Sequence, residues 1–119
     1  MDGNRADPRV TFAVTFMSQH LNEHISMAEL AARVELSQSR FRALFSEYLG
    51  TSPGHYLQTL RLQRARLLLE RSFLSVKQVR EAVGYADPSH FARDFRRQHG
   101  RPPTEFRFRD VGARRAPAR

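Results

Sequence analysis

"DPSHFARDFRRQHGRPPTEFR", Asp87–Arg107, decides how this chain reads, because its punctuation is repeated 50 residues earlier in "SQSRFRALFSEYLGTSPGHYL", Ser37–Leu57. At that shift Phe41 meets Phe91, Phe45 meets Phe95, Gly50 meets Gly100, Pro53 meets Pro103 and Tyr56 meets Phe106. Two phenylalanines four apart share one face of a helix. A glycine after them ends that helix, and a proline soon after opens the next element. The stretch encodes a helix, a stop and a restart, and the chain carries it twice.

Upstream of each copy stands a short capped helix. Ser26 with Glu29 forms a capping box at the head of "SMAELAARV", and Ser75 with Gln78 forms one at the head of "SVKQVREAV". Ser37 and Asp87 cap the phenylalanine-bearing helices, with Pro88 at a first helical position. Two helices joined by a tight turn make the helix-turn-helix outline, expected at Ser26–Leu49 and again at Ser75–His99. Leu30, Val34 and Leu36 are expected to meet Phe41 and Phe45, and Val79, Val83 and Tyr85 to meet Phe91 and Phe95. The offset changes from 49 to 50 at the turn, so the second turn is one residue longer.

Between the copies, Thr51 or Ser52 with Pro53 opens a longer helix to about Arg71. Its Tyr56, Leu57, Leu60, Leu62, Ala65, Leu67, Leu68 and Leu69 cover more than one face, which predicts a helix lying between other elements. At the front, Asp7-Pro8 starts a helix through Val10, Ala13, Val14, Met17 and Leu21, predicted to run to about His24. Pro102-Pro103 starts a last short turn, and the basic tail 110–119 is expected to be disordered. No window alternates like a strand. The predicted fold class is all-α, with about seven helices in one domain over 7–109: lobe one at about 8–50, a linker helix at about 53–71, lobe two at about 75–108.

Composition narrows the partner. The 119 residues carry a formal net charge of +8 and a pI near 11.3, the mark of a protein that meets a polyanion. Of the 20 basic residues only Lys77 is a lysine. Arginine's planar fork suits phosphate and guanine, although a GC-rich genome also favours arginine codons. Without cysteine there is no disulfide, thiolate metal site or cysteine nucleophile, which suits a reducing cytoplasm. "MDGNRADPRV" has no apolar core of a secretory signal. A chain with two helix-turn-helix copies can reach two major grooves as a monomer, where single-copy proteins dimerise. The linker's 19 residues make about 28 Å of helix. That is short of the roughly 34 Å between successive grooves on one face of DNA, so the duplex is expected to bend.

The chain resembles the AraC/XylS transcriptional regulators over roughly Val10 to Arg109. The matching stretches are "LAARVELSQSRFRALFSEYLGTSPGHYL", "RLQRARLLL" and, most specifically, "VGYADPSHFARDFRRQHGRPPTEFR". The family pattern of Gly-aromatic, Ser-x-Phe, Arg-x-Phe, Gly and Pro falls on Gly84-Tyr85, Ser89-x-Phe91, Arg93-x-Phe95, Gly100 and Pro103. The resemblance implies a seven-helix DNA-binding domain with two helix-turn-helix lobes on a linker helix. It also implies a sequence-specific transcriptional regulator. Two departures stand out. Arg80 occupies a place where the family often has a small residue. Asp94 and Gln98 replace the apolar partners that Leu44 and Tyr48 supply in the first copy, so the second lobe is expected to have a leaner core. The ligand-sensing or dimerising domain of most members has no room in 119 residues, which makes the chain a stand-alone member or a DNA-binding domain alone.

On a helical wheel Ser39, Ala43 and Ser46 oppose the face of Phe41, Leu44, Phe45 and Tyr48, with Arg42 beside them. Ser89, Arg93 and Arg96 oppose Phe91 and Phe95, with Ala92 beside them. The family's base-facing positions fall on Ser39, Arg42, Ala43, Ser89 and Arg93, in agreement with the wheel. Arg42 and Arg93 are the candidates for guanine O6 and N7, and Arg42 is expected to weigh more because the first lobe has the fuller apolar face. Ser37, Gln38, Arg40, Ser75, His90, Arg96 and Arg97 flank these faces and are expected at DNA phosphates. Arg61 and Arg64 on the linker are expected to pair with Glu70 or Glu81 or to touch DNA.

Double-stranded DNA is the partner these features predict. His20 and His24, four apart, lack a third ligand, so neither metal nor cofactor is expected. No phosphate loop, nucleophile elbow or acidic pair suggests an enzyme. The rival reading from another class is a helical protein-interaction module, for instance one docking on RNA polymerase.

Overall fold

The computed structural model describes residues 7–107, and the basic tail lies outside them. Six α-helices run in order: α1 Pro8–Gln19, α2 Met27–Arg33, α3 Gln38–Leu49, α4 Pro53–Arg71, α5 Val76–Ala82 and α6 Pro88–His99. A 3₁₀ turn, Pro103–Phe106, follows. Among the described residues there is no strand, and no helix is long and apolar enough to cross a membrane. The chain divides into two compact units between Gln58 and Thr59, inside α4, so that helix contributes its first turns to one unit and the remainder to the other.

The caps form where the sequence places them. Asp7, Ser26, Ser37, Ser75 and Asp87 each accept a backbone N–H two or three residues on. The Ser75–Gln78 box closes in both directions, at 3.0 Å and 2.8 Å. At Ser26 only the serine arm is made, from the Glu29 N–H at 3.2 Å. Ser52 caps α4, accepting from the His55 N–H at 3.2 Å.

The repeat is a repeat of packing. In the first unit the Phe41 and Phe45 rings stand 5.7 Å apart, and Tyr56 meets Phe45 edge-on at 5.5 Å. In the second, Phe91 and Phe95 are 5.7 Å apart, and Phe106 meets Phe95 edge-on at 5.4 Å. Gly50 N–H returns to Ser46 O at 2.8 Å, and Gly100 N–H to Arg96 O at 2.7 Å. In the first unit Val10, Ala13, Met17, Leu30, Ala31, Phe41 and Phe45 are buried. In the second, Leu62, Ala65 and Leu69 of α4 pack with Val79, Val83, Phe91 and Phe95, and Tyr85 and Phe106 close the edge.

Three expectations change. α1 stops at Gln19 rather than near His24, because Glu23 N–H bonds His20 O at 3.0 Å in a tighter turn. The His20 ring meets the Glu23 carboxylate at 3.0 Å and stacks on Phe16, so His20 and His24 do not share a helix face. Tyr48, read as part of the apolar face of α3, is 43% exposed at the helix end. The turn position of the first lobe is Glu35, at φ 63°, where the second lobe has Gly84 at φ 85°.

Candidate nucleic-acid interface

Burial of Phe41 and Phe45 fixes which side of α3 turns outward. Gln38, Ser39, Arg40, Arg42 and Ala43 are all exposed on the other side. Ser46 is not with them: half-buried, it donates its hydroxyl to Thr51 O at 3.3 Å and holds the loop after α3. Ser37 Oγ accepts from the Arg40 N–H at 3.1 Å, so its first role is the helix cap. Its hydroxyl hydrogen is still directed by rotation, as is that of Ser75, which belongs to the capping box of α5.

On α6 the exposed set is Ser89, His90, Ala92, Arg93, Arg96 and Arg97, opposite buried Phe91 and Phe95. Asp87 caps this helix through the His90 N–H at 3.0 Å. That bond, first among its causes, lowers its pKa. A carboxylate so used is a helix cap.

The second unit has the leaner apolar core that was expected, and it adds polar bonds to it. Asp94, at Leu44's place, is 6% exposed, whereas Leu44 is half-buried. Tyr85 donates its hydroxyl to Asp94 Oδ2 at 3.0 Å, Arg93 Nε donates to Oδ1 at 3.2 Å, and Arg97 Nη1 lies 3.9 Å from Oδ1. A buried carboxylate is tolerable when it is hydrogen-bonded and faces opposite charge, and both conditions hold. Arg80, the other departure, spans the turn between α5 and α6: its Nη1 donates to Tyr85 O and to Ala86 O, both at 2.8 Å. A small residue there could not satisfy those carbonyls. Gln98 Nε2 donates to Thr59 O at 3.4 Å, and His99 Nε2 lies 3.0 Å from Leu62 O, so polar bonds tie α6 to α4 where apolar contact was expected.

The acidic partners expected for the linker arginines are taken by others. Glu70 pairs with Arg66 at 3.1 Å, and Glu81 lies 4.0 Å from Arg80. Arg61 is half-buried, and desolvation lowers its pKa. Tyr85, Asp94 and Arg80 were missed as parts of the site. The signal for Asp94 was present: an acidic residue on an apolar face, with arginine at the preceding position and again three positions on.

A model of a helix-turn-helix domain matches residues 30–109. The solved AraC-type regulator of Chromobacterium violaceum is 36% identical, with a TM-score of 0.79 over 92% of this chain and 93% of its own. The chain belongs to the AraC-type helix-turn-helix family. This AraC-type chain is also similar to the DNA-binding domain of the global transcriptional factor AdpA, solved in complex with a target DNA, at 32% identity and a TM-score of 0.81 over 92% and 96% of the two chains. The HTH-type transcriptional regulator GbdR of Pseudomonas aeruginosa is 36% identical over 100 residues, which is 84% of this chain and 27% of GbdR. The chain spans between 27% and 38% of the length of the curated relatives it matches.

Proposed function

We propose that this AraC-type domain is the DNA-binding part of a transcriptional regulator and seats α3 and α6 in successive major grooves of double-stranded DNA. The observation that carries this is the pair of exposed, arginine-bearing helix faces, each lying opposite a buried Phe-x3-Phe pair. A helix with that polarity has its reading side set by the core behind it. The net charge of +8 supplies the attraction to phosphates, and the likeness to AdpA's DNA-bound domain supports the same use.

Ser39, Arg42 and Ala43 of α3, and Ser89 and Arg93 of α6, read bases. Arginine forks match guanine O6 and N7, while the small residues admit a close approach and apolar contact with thymine methyls. Gln38, Arg40, His90, Arg96 and Arg97 flank these faces and clamp phosphates, with Ser37 and Ser75 donating from their hydroxyls. The reading assigns no catalytic role, metal or cofactor. It places the work in the cytoplasm, with one chain engaging one asymmetric site. RNA polymerase is the second partner an activator would need.

Mobility-shift titration with mixed-sequence duplex at low salt, followed by selection from a random duplex pool, tests the proposal. A shifted complex and an enriched two-part motif are expected. No shift at low salt would leave the helical interaction module as the better account.

A further inference from the structure

Four side chains run from the α5–α6 turn to the outward face of α6. Arg80 bonds the backbone carbonyls of Tyr85 and Ala86, Tyr85 bonds Asp94, and Asp94 bonds Arg93. The side chain of Asp94 is 7% exposed and that of Arg93 57% exposed, so the carboxylate sits beneath the guanidinium rather than beside it in water. Tyr85 is in turn held by its ring against Phe91, edge-on at 5.3 Å.

We infer that Asp94 is a positioning residue for base reading: held by Tyr85, it fixes the Arg93 guanidinium by its Nε, so that the two terminal nitrogens project outward as an oriented fork. The inference rests on the proposed reading of bases by Arg93. A free arginine side chain has several rotatable bonds, and a carboxylate on Nε removes that freedom before DNA arrives. The terminal nitrogens remain for guanine O6 and N7, which an arginine fork grips in a bidentate manner. The same carboxylate faces Arg97 Nη1 at 3.9 Å and offsets positive charge at that spot. Specificity at Arg93 is thus gained by orientation and not by added attraction. The first unit has no counterpart: Leu44 stands at Asp94's place and Leu36 at Tyr85's.

The test uses the whole chain and a random duplex pool as the probe, with wild type, Asp94→Asn, Tyr85→Phe, Arg93→Ala and the double variant Asp94→Asn with Arg93→Ala. Thermal melting of each variant separates loss of folding from loss of reading. Asp94→Asn and Tyr85→Phe are expected to relax preference at the base pairs that Arg93→Ala relaxes, by about three- to tenfold, and to leave positions read by α3 unchanged. In the Arg93→Ala background Asp94→Asn should have no further effect on sequence preference. A purely structural role would weaken all sequences together and would survive in that background. Overturning results are distinguishable. If Arg93→Ala changes preference while both Asp94→Asn and Tyr85→Phe keep the wild-type motif, Asp94 does not position the fork. If Arg93→Ala itself leaves the motif intact, the base-reading role of Arg93 fails, and this inference with it. Should Asp94→Asn not fold, Tyr85→Phe carries the decision, since it removes one hydroxyl and keeps the ring.

Discussion

Arg42 and Arg93 differ in what holds them. Arg93 is gripped by Asp94 at 3.2 Å, whereas among the described residues no hydrogen bond or ion pair fixes Arg42. The expectation that Arg42 outweighs Arg93 rested on the fuller apolar face of the first lobe, and the bond from Arg93 to Asp94 weighs against it. Replacing either by Ala is expected to cost about 1–3 kcal/mol on the specific site and to relax preference at one or two base pairs. The Arg93 effect should be at least as large as that of Arg42. Arg97→Ala should instead weaken all sequences about equally and lower the salt slope by about one unit. Titrations on specific and scrambled duplex at several salt concentrations check all three. If Arg42→Ala weakens both DNAs equally, Arg42 is a phosphate clamp. A second residue-scale outcome concerns Glu35, exposed and held at φ 63°, where any Cβ is strained. Glu35→Gly is expected to stabilise the fold by about 0.5 kcal/mol, the relief of strain exceeding the entropy glycine brings to the unfolded chain. Gly100→Ala, with φ 85° and open space around a new Cβ, should cost about 1 kcal/mol from the backbone alone. Denaturant midpoints measure both, and an unchanged midpoint for Gly100→Ala would remove the strain argument.

At the scale of elements, the caps separate structure from contact. Ser75 closes a two-way box, so Ser75→Ala is expected to cost about 1 kcal/mol of stability. Ser37→Ala should do the same. A loss of DNA affinity beyond that of the destabilised control Ser26→Ala would then measure the phosphate contact proposed for Ser37. Acid also acts on caps. Asp7 has its pKa lowered from 3.8 to about 2, first by the side-chain bond to Arg9, and Asp87 is lowered first by the His90 N–H. Groups with depressed folded values contribute stability above their unfolded pKa and lose it as pH falls through the folded one. The melting temperature should therefore fall from about pH 4 to about pH 2. Asn caps a helix nearly as well as Asp without titrating, so Asp7→Asn and Asp87→Asn together should flatten that part of the curve. A slope unchanged in the double variant would assign acid sensitivity elsewhere. The elements themselves were legible beforehand. Asp7, Ser26, Ser37, Ser75 and Asp87 placed five of the six helix starts, and Gly50 and Gly100 placed the ends of α3 and α6, because caps and stops act over a few residues of chain.

For the whole molecule, the expected outcome is that one chain protects an asymmetric site of roughly 15–20 base pairs, two lobes reading about one turn apart. Footprinting alongside sedimentation of the complex checks it, and protection of only about 5 base pairs by one chain would sink it. The bend expected from the length of α4 should appear as gel mobility that varies with site position in circularly permuted duplexes.

By itself the sequence determined the all-α class, the two helix-turn-helix copies, their family and the outward faces of α3 and α6. The class, each copy and the outward faces follow from periodicity and punctuation within windows of about twenty residues, and the family from the resemblance of motifs spread over Val10 to Arg109. Only the tertiary structure decided what the charged residues do. Asp94 became the buried partner of Tyr85 and Arg93, Arg80 the clamp of a turn, and Glu70 the partner of Arg66. Gln98 reached Thr59, 39 residues away, and His99 reached Leu62. The physical reason is range and burial. An apolar residue only has to leave water, so its position on a helix face settles its role, whereas a buried polar group must find a specific donor or acceptor at about 3 Å, and which group stands there is fixed only when distant segments pack.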